Sequence, residues 1–127
     1  MRRMLAILAV LALALAACGG GDGTTATSGP NGMTGDATAG ETAYVTCSGC
    51  HGPDATGIEG LGKDLTNSAF LADRTDDEMV AFIKVGRRPD DPANETGVDM
   101  PPKGGNPAFS DQDLYDVIAY LRTLPGN

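Results

Sequence analysis

The residues Cys47-Ser48-Gly49-Cys50-His51 constrain this chain more than any other stretch of its sequence. Two thiols separated by two residues and followed directly by an imidazole form the attachment pattern of a c-type haem. Such a spacing lets both thiols reach the two vinyl groups of one porphyrin while the imidazole comes up under its iron. The rest of the chain must then wrap around that cofactor.

Two other readings of the pattern are a zinc site and a thioredoxin-like dithiol. A zinc site needs about four ligands, whereas the one further thiol, Cys18, lies far upstream beside an apolar N-terminal run. His51 is the only histidine of the chain, so ligation of the iron by two histidines is excluded. Haem attachment is therefore the preferred interpretation.

The sixth iron ligand must be another soft or basic side chain, and Met79 and Met100 are the candidates. Met79 shares a helical face with Phe82 and Ile83, which favours packing in the core for it. Met100 precedes Pro101-Pro102, and prolines stiffen such a loop and keep the residue before them extended. About fifty residues separate His51 from Met100, enough chain to return on the other face of a haem. Met100 is therefore the predicted axial ligand.

The N-terminus has the pattern of an export signal. Arg2 and Arg3 precede an apolar run of about a dozen residues, too short for a bilayer that needs roughly twenty. Leu15-Ala16-Ala17-Cys18 resembles the lipobox of bacterial lipoproteins, in which the cysteine is acylated and becomes the mature N-terminus. Cleavage by an ordinary signal peptidase among Ala14–Ala17 and retention of the run as an anchor are the alternatives.

These features divide the chain into three parts: residues 1–17 as a lipoprotein signal peptide, 18–36 as a flexible tether from lipidated Cys18, and 37–127 as the folded domain. The tether consists mostly of Gly, Thr, Ser, Ala, Asp and Pro, a composition that cannot bury enough apolar surface to fold. A flexible coil of this length spans roughly 20–25 Å. Met33, within it, is expected to be solvated.

Charge patterning excludes a nucleic-acid binder. The formal charge of −8 becomes −10 once the two arginines of the signal peptide are removed. Six of the seven remaining basic residues lie between Lys63 and Lys103, while acidic residues are spread along the chain. Within this middle segment, Arg87 and Arg88 could pair with haem propionates or be solvated at a helix C-terminus, where cations are favoured. The solvated state is preferred.

Helical signals dominate residues 37–127. A helix-compatible stretch from Ala37 to Thr46 contains Gly40, and Asn67–Asp73 predicts a short helical turn carrying Phe70 and Leu71 toward the porphyrin. Thr75 and Glu78 form a capping box before a helix that ends at Gly86. Ser110 caps a last helix with an apolar stripe, made by Leu114, Val117, Ile118, Leu121 and Leu124. The predicted fold class is all-α.

Over residues 37–125 the chain resembles the class I, single-haem cytochromes c. The resemblance rests on Gly40 and Tyr44 ahead of the cysteine motif, on Val98–Pro102, and on the last helix with Ala119-Tyr120-Leu121. It implies a small cytochrome c fold around one haem c bound through Cys47 and Cys50, with His51 and Met100 on the iron.

The resemblance also implies two contacts. Gly40 on the first helix should lie under Tyr120 of the last helix, with Tyr44 as the neighbouring aromatic. The second ring nitrogen of His51 should donate to a main-chain carbonyl, supplied in relatives by a Pro-Asn/Asp-Leu turn that corresponds here to Gly62-Lys63-Asp64-Leu65.

The expected function is electron transfer rather than catalysis, because filled axial positions leave no site for a substrate and no general base or nucleophile is apparent. The expected partners are a redox donor and acceptor, such as a cytochrome bc-type complex and a terminal oxidase, and a lipid membrane on its periplasmic or outer side. The alternatives are a haem peroxidase or small-gas binder with a labile distal Met, and a fixed haem subunit of an oxidase or periplasmic dehydrogenase.

Overall fold

The computed structural model describes residues 32–127, and four α-helices account for most of its regular structure. They are α1 (Ala37–His51), α2 (Ala69–Ala72), α3 (Asp76–Val85) and α4 (Asp111–Thr123), with a 3₁₀ turn at Pro102–Gly105. These residues contain no strand, only isolated bridges between Ile58 and Gly62 and between Arg87 and Met100. The prediction of an all-α fold is confirmed.

The predicted signal peptide, Cys18 and residues 18–31 of the tether lie outside the described residues. Over residues 32–127, no helix is both long and apolar enough to cross a membrane.

Helices α1 and α4 cross at close range, and a glycine makes the crossing possible. A Cβ atom placed on Gly40 would overlap the main-chain oxygen of Asp116 and would lie 2.9 Å from the Cβ of Tyr120. The rings of Tyr44 and Tyr120 pack beside this point with centroids 5.3 Å apart. The predicted contact between Gly40 and Tyr120 is thus present.

Helix α4 begins at the predicted cap and buries the predicted stripe. The Ser110 side chain accepts from the amide of Asp113, and the Asp113 carboxylate accepts from the amide of Ser110. This reciprocal pair satisfies two main-chain donors at the helix start. Four members of the stripe are buried: Leu114, Val117, Ile118 and Leu121. The fifth, Leu124, is partly buried against them.

Helix α3 is also bounded as its sequence predicts. Thr75 and Glu78 form the capping box, and Gly86 ends the helix with a positive φ of 75°. Met79 is 5% exposed and belongs to the core with Val80 and Ile83, which agrees with its predicted packing role.

A partly buried arginine joins α2 and α3 to α4. The Arg122 Nε donates to Asp76 Oδ1 at 2.7 Å, and its terminal nitrogens donate to the main-chain oxygens of Leu71 and Arg74. The Asp76 side chain is only 8% exposed. One cation thus neutralises a buried carboxylate and satisfies two carbonyls at the corner between α2 and α3.

The structure departs from the sequence-based expectation at both ends of α1. The helix continues past Thr46 through the whole cysteine motif to His51. At the other end, Met33 packs against the core, Gln112 donates to the carbonyl of Thr34, and Asp36 caps the helix. The prediction that Met33 is solvated is wrong, because the residues just before α1 lie against α4.

Candidate functional site

The cysteine motif occupies the C-terminal end of α1, where both thiols are half-buried and free. Burial raises the pKa of Cys47 to about 11, with a smaller contribution from Cys50. The C-terminal end of a helix also carries the negative end of its dipole, which disfavours a thiolate. Reactive dithiols need a lowered thiol pKa and commonly lie at helix N-termini. The geometry therefore argues against the thioredoxin-like alternative.

His51 ends α1, and its ring is held from one side. Its Nδ1 lies 2.7 Å from the main-chain oxygen of Lys63. Because a carbonyl oxygen can only accept, Nδ1 carries a proton, and in the neutral ring Nε2 then keeps the lone pair. Such a hydrogen bond sets the tautomer and orientation of a metal-binding histidine. The acceptor comes from Gly62-Lys63-Asp64-Leu65, the segment expected from the resemblance.

The loop that supplies this carbonyl packs tightly on the end of α1. A Cβ on Gly62 would overlap the main-chain oxygen of Cys50, and the amide of Gly57 donates to the carbonyl of His51 at 2.8 Å. The Tyr44 hydroxyl, whose pKa is raised by burial, donates to the carbonyl of Gly52 at 2.8 Å. These contacts hold the loop against α1. They therefore also fix the Lys63 carbonyl that accepts from His51.

Met100 lies in an extended segment whose main chain is held by Arg87, the second residue after α3. The amide of Arg87 donates to the carbonyl of Met100, and the amide of Met100 donates to the carbonyl of Arg87, both at 2.8 Å. A Cβ on Gly86 would overlap the Met100 oxygen. The Met100 side chain is partly buried against the core. The amide and the carbonyl of Met100 are therefore both held by hydrogen bonds.

After Met100 the chain returns to the helix that carries the cysteines. The 3₁₀ turn Pro102–Gly105 contacts both α1 and α3. A Cβ on Gly104 would lie 3.9 Å from the sulfur of Cys47. The turn that follows Met100 thus lies against the cysteine motif, although 49 positions separate Met100 from His51 in the numbering.

The two arginines after α3 have different environments. The Arg88 side chain is 82% exposed and pairs with Asp90, whereas the Arg87 side chain is 18% exposed. The Arg87 Nε is buried without a hydrogen-bond partner. The preferred solvated state is present at Arg88, but Arg87 is largely buried. The sequence around Arg87 and Arg88 does not indicate that one is largely buried and the other exposed, because this difference depends on how the following loop folds back.

Sequence reasoning also missed a contact between the two loops. The Lys63 ammonium lies 2.6 Å from Glu95 Oε1, and this hydrogen bond holds the pKa of Glu95 below its usual range. The pair joins the loop that supplies the acceptor of His51 to the loop that leads to Met100. Both side chains are largely exposed, so solvent screens the pair and it adds little to stability. No local pattern could have revealed it, since 32 positions separate the residues.

The side chains gathered here fit a covalently bound haem. They supply two thiols near one helix end, an imidazole held through its Nδ1, a thioether on a braced segment, and a buried guanidinium nitrogen that lacks an acceptor. Within residues 32–127, no group of three or more His, Cys, Asp or Glu side chains could hold a metal ion by itself.

Comparison with known proteins gives one match. The sequence model of the Cytochrome c family matches residues 37–125, well over half of the chain. No curated protein and no solved structure matches significantly.

Proposed function

The chain belongs to the cytochrome c family, and on that premise we propose that it is a lipid-anchored electron carrier whose haem iron is held by His51 and Met100. The family binds one covalently attached haem c, which is the cofactor of this chain, and electron transfer by a c-type cytochrome is the function that the family supports. The prediction of the cofactor is confirmed.

Cys47 and Cys50 would form the two thioether bonds, and His51 would bind the iron through Nε2. The hydrogen bond from its Nδ1 to Lys63 keeps the ring in that tautomer. Met100 would supply the sixth ligand. The observation that carries this ligation is the paired main-chain hydrogen bond between Arg87 and Met100, since it holds the thioether on a fixed segment beside the cysteine-bearing helix.

Two filled axial positions favour electron transfer over catalysis. Haem c supplies the one-electron couple between ferric and ferrous iron, and thioether ligation raises its potential. The chain's part is to keep both ligands in place so that little rearrangement accompanies the transfer. The braced segments of His51 and Met100 suit that task. A carrier of this kind would take electrons from a lower-potential donor and pass them to a high-potential acceptor.

Anchoring and partners complete the proposal. Acylated Cys18 would hold the domain at the periplasmic or outer side of a membrane, on a tether long enough to reach neighbouring proteins. The donor and acceptor would be membrane redox proteins, such as a cytochrome bc-type complex and a terminal oxidase. The mobile tether that its composition predicts favours a shuttling carrier over a fixed subunit.

Replacement of each methionine tests the ligation. Met100→Ala should abolish the weak long-wavelength sulfur-to-iron absorption of the ferric protein, lower the reduction potential, and allow carbon monoxide to bind. Met79→Ala is the matched control, since it removes a methionine that is only 5% exposed. It should keep the absorption band and lower the free energy of unfolding by about 2–5 kcal/mol.

Two results would contradict the ligation. Loss of the sulfur band in Met79→Ala, with the band retained in Met100→Ala, would transfer the ligand to Met79. A wild-type protein that lacks the band and binds carbon monoxide rapidly would instead favour the peroxidase or gas-binding function.

Membrane fractionation tests the anchor separately. The wild-type protein should partition with membranes and carry an acylated N-terminal cysteine by mass spectrometry. Cys18→Ala should block processing or release the protein, because no acyl chain could then be attached. A soluble wild-type protein with an unmodified N-terminus would refute the anchor without affecting the ligation.

A further inference from the structure

One guanidinium in this domain, on a largely buried side chain, has an Nε–H that lacks a hydrogen-bond acceptor. The Arg87 side chain is 18% exposed, although its neighbour Arg88 is 82% exposed. A buried charge is costly unless it is paired and hydrogen-bonded. Arg122, whose side chain is also partly buried, meets this condition with one carboxylate and two carbonyls.

The contacts of Arg87 leave its Nε–H unsatisfied. One terminal nitrogen donates to the carbonyl of Ala93 at 3.2 Å. The guanidinium carbon lies 4.8 Å from the ring centroids of both Phe70 and Phe82, an attraction between the cation and the ring faces that offers no acceptor. The Nε is buried and has no hydrogen-bond partner. Its closest paired carboxylate oxygen, on Asp91, is 3.9 Å away, beyond hydrogen-bond length.

The position of Arg87 connects it to the haem side of the domain. Its amide and carbonyl both bond to Met100. The chain that follows Met100 turns at Pro102–Gly105 against α1, where Gly104 approaches the sulfur of Cys47. Arg87 is therefore joined by main-chain contacts to the segment that faces the thioether-forming cysteine. This step rests on the proposed placement of Met100 at the haem.

We propose that Arg87 donates its Nε–H to a propionate carboxylate of the haem. The propionates are the anionic groups that the covalently bound cofactor brings into the domain. A guanidinium that donates to a carboxylate makes a charge-assisted hydrogen bond, about twice as strong as a neutral one. This bond would satisfy the orphaned nitrogen and bring a carboxylate within hydrogen-bond length of the charge. The Arg87 side chain would then hold the haem by a propionate, while the Arg87 main chain holds Met100. One residue would thus position both the haem and its proposed axial ligand.

The test is nuclear magnetic resonance of the ferrous, ¹⁵N-labelled holoprotein, whose six-coordinate, low-spin iron is diamagnetic. Should the sixth position prove open, the carbon monoxide complex, which is also low-spin, is measured instead. The Arg87 Nε–H should exchange slowly with water and show nuclear Overhauser contacts to a propionate methylene. Arg88, next in sequence and exposed, is the internal control and should show neither property. This measurement on the wild-type protein needs no variant that could fail to fold.

Variants distinguish a contact with the haem propionate from a contact with the Asp91 carboxylate. Asp91→Asn should leave the chemical shift and exchange rate of the Arg87 Nε–H unchanged. Arg87→Gln should lower the reduction potential, because loss of a cation beside the haem favours the ferric state, whereas Arg88→Gln should shift it less.

Three outcomes would overturn the proposal: contacts of the Arg87 Nε–H to Asp91 alone, exchange as fast as that of Arg88, or equal potentials in the two arginine variants. Failure of the Met100 ligation would appear instead as loss of the sulfur band in the wild-type protein. The contacts of the Arg87 proton are read independently of that band.

Discussion

Substitution of Gly40 by alanine tests whether the α1–α4 crossing holds this domain together. In an isolated helix the change would stabilise, because alanine is favoured over glycine in a helix interior by about 0.5–1 kcal/mol. In this domain the added Cβ would overlap the main-chain oxygen of Asp116 and approach the Cβ of Tyr120 to 2.9 Å. Neither atom can rotate away, since one belongs to the backbone and the other is attached directly to it.

The helices must therefore move apart. Moving the Tyr120 contact alone from 2.9 Å to an ordinary 3.4 Å requires a shift of half an ångström, and the overlap with Asp116 requires more. Overpacking of this kind costs about 1–3 kcal/mol, and separation would also weaken the contact between Tyr44 and Tyr120. We expect a net loss of about 1–3 kcal/mol in the free energy of unfolding, because the overlap with the backbone exceeds the gain in helix propensity.

Urea unfolding of the ferric holoprotein, followed by far-ultraviolet circular dichroism, measures this loss as a lower midpoint at an unchanged slope. Gly49→Ala is the matched control, because Gly49 lies in the same helix and its added Cβ would have no neighbour within 4 Å. The control should gain about 0.5–1 kcal/mol. Equal stabilisation of both variants would refute the argument that the crossing depends on Gly40.

Two further predictions concern buried and capped groups. Arg122→Met should lower the free energy of unfolding by about 3 kcal/mol, since it leaves the buried Asp76 carboxylate without its paired cation. Thermal unfolding would show this, and adding Asp76→Asn should recover part of the loss; no recovery would mean that the lost main-chain contacts dominate. Hydrogen bonds from Thr75 lower the pKa of Glu78, so this cap stabilises the fold above the unfolded-state pKa and is lost as pH falls through the lower folded-state pKa. Glu78→Gln, which removes the titrating carboxyl, should therefore flatten the loss of stability as pH falls below the unfolded-state pKa, and an unchanged acid limb in urea titrations would contradict this.

Local patterns in the sequence were sufficient for much of the fold. The capping boxes at Thr75 and Ser110, the stop at Gly86 and the apolar stripe of α4 all depend on residues within a few positions of one another. Such signals report backbone hydrogen bonds and helical periodicity, which neighbouring residues decide. The haem motif is local as well, because five consecutive residues carry it. The cofactor could therefore be predicted from the sequence alone.

Contacts between distant segments were decided by the tertiary structure. The sequence could not distinguish Arg87 from Arg88, because burial of Arg87 depends on a loop that folds back from Ala93 and on two aromatic rings from α2 and α3. It likewise misjudged Met33, whose packing depends on α4.

The surroundings of His51 show the same division between what local sequence indicates and what long-range contacts decide. The sequence determined that His51 needs a main-chain acceptor, and the resemblance indicated the segment that supplies it. The 2.7 Å contact with Lys63 exists because Gly62 lets that segment lie against the end of α1. Local chemistry thus determined which groups are present, whereas close approach between segments far apart in sequence decided which of them meet.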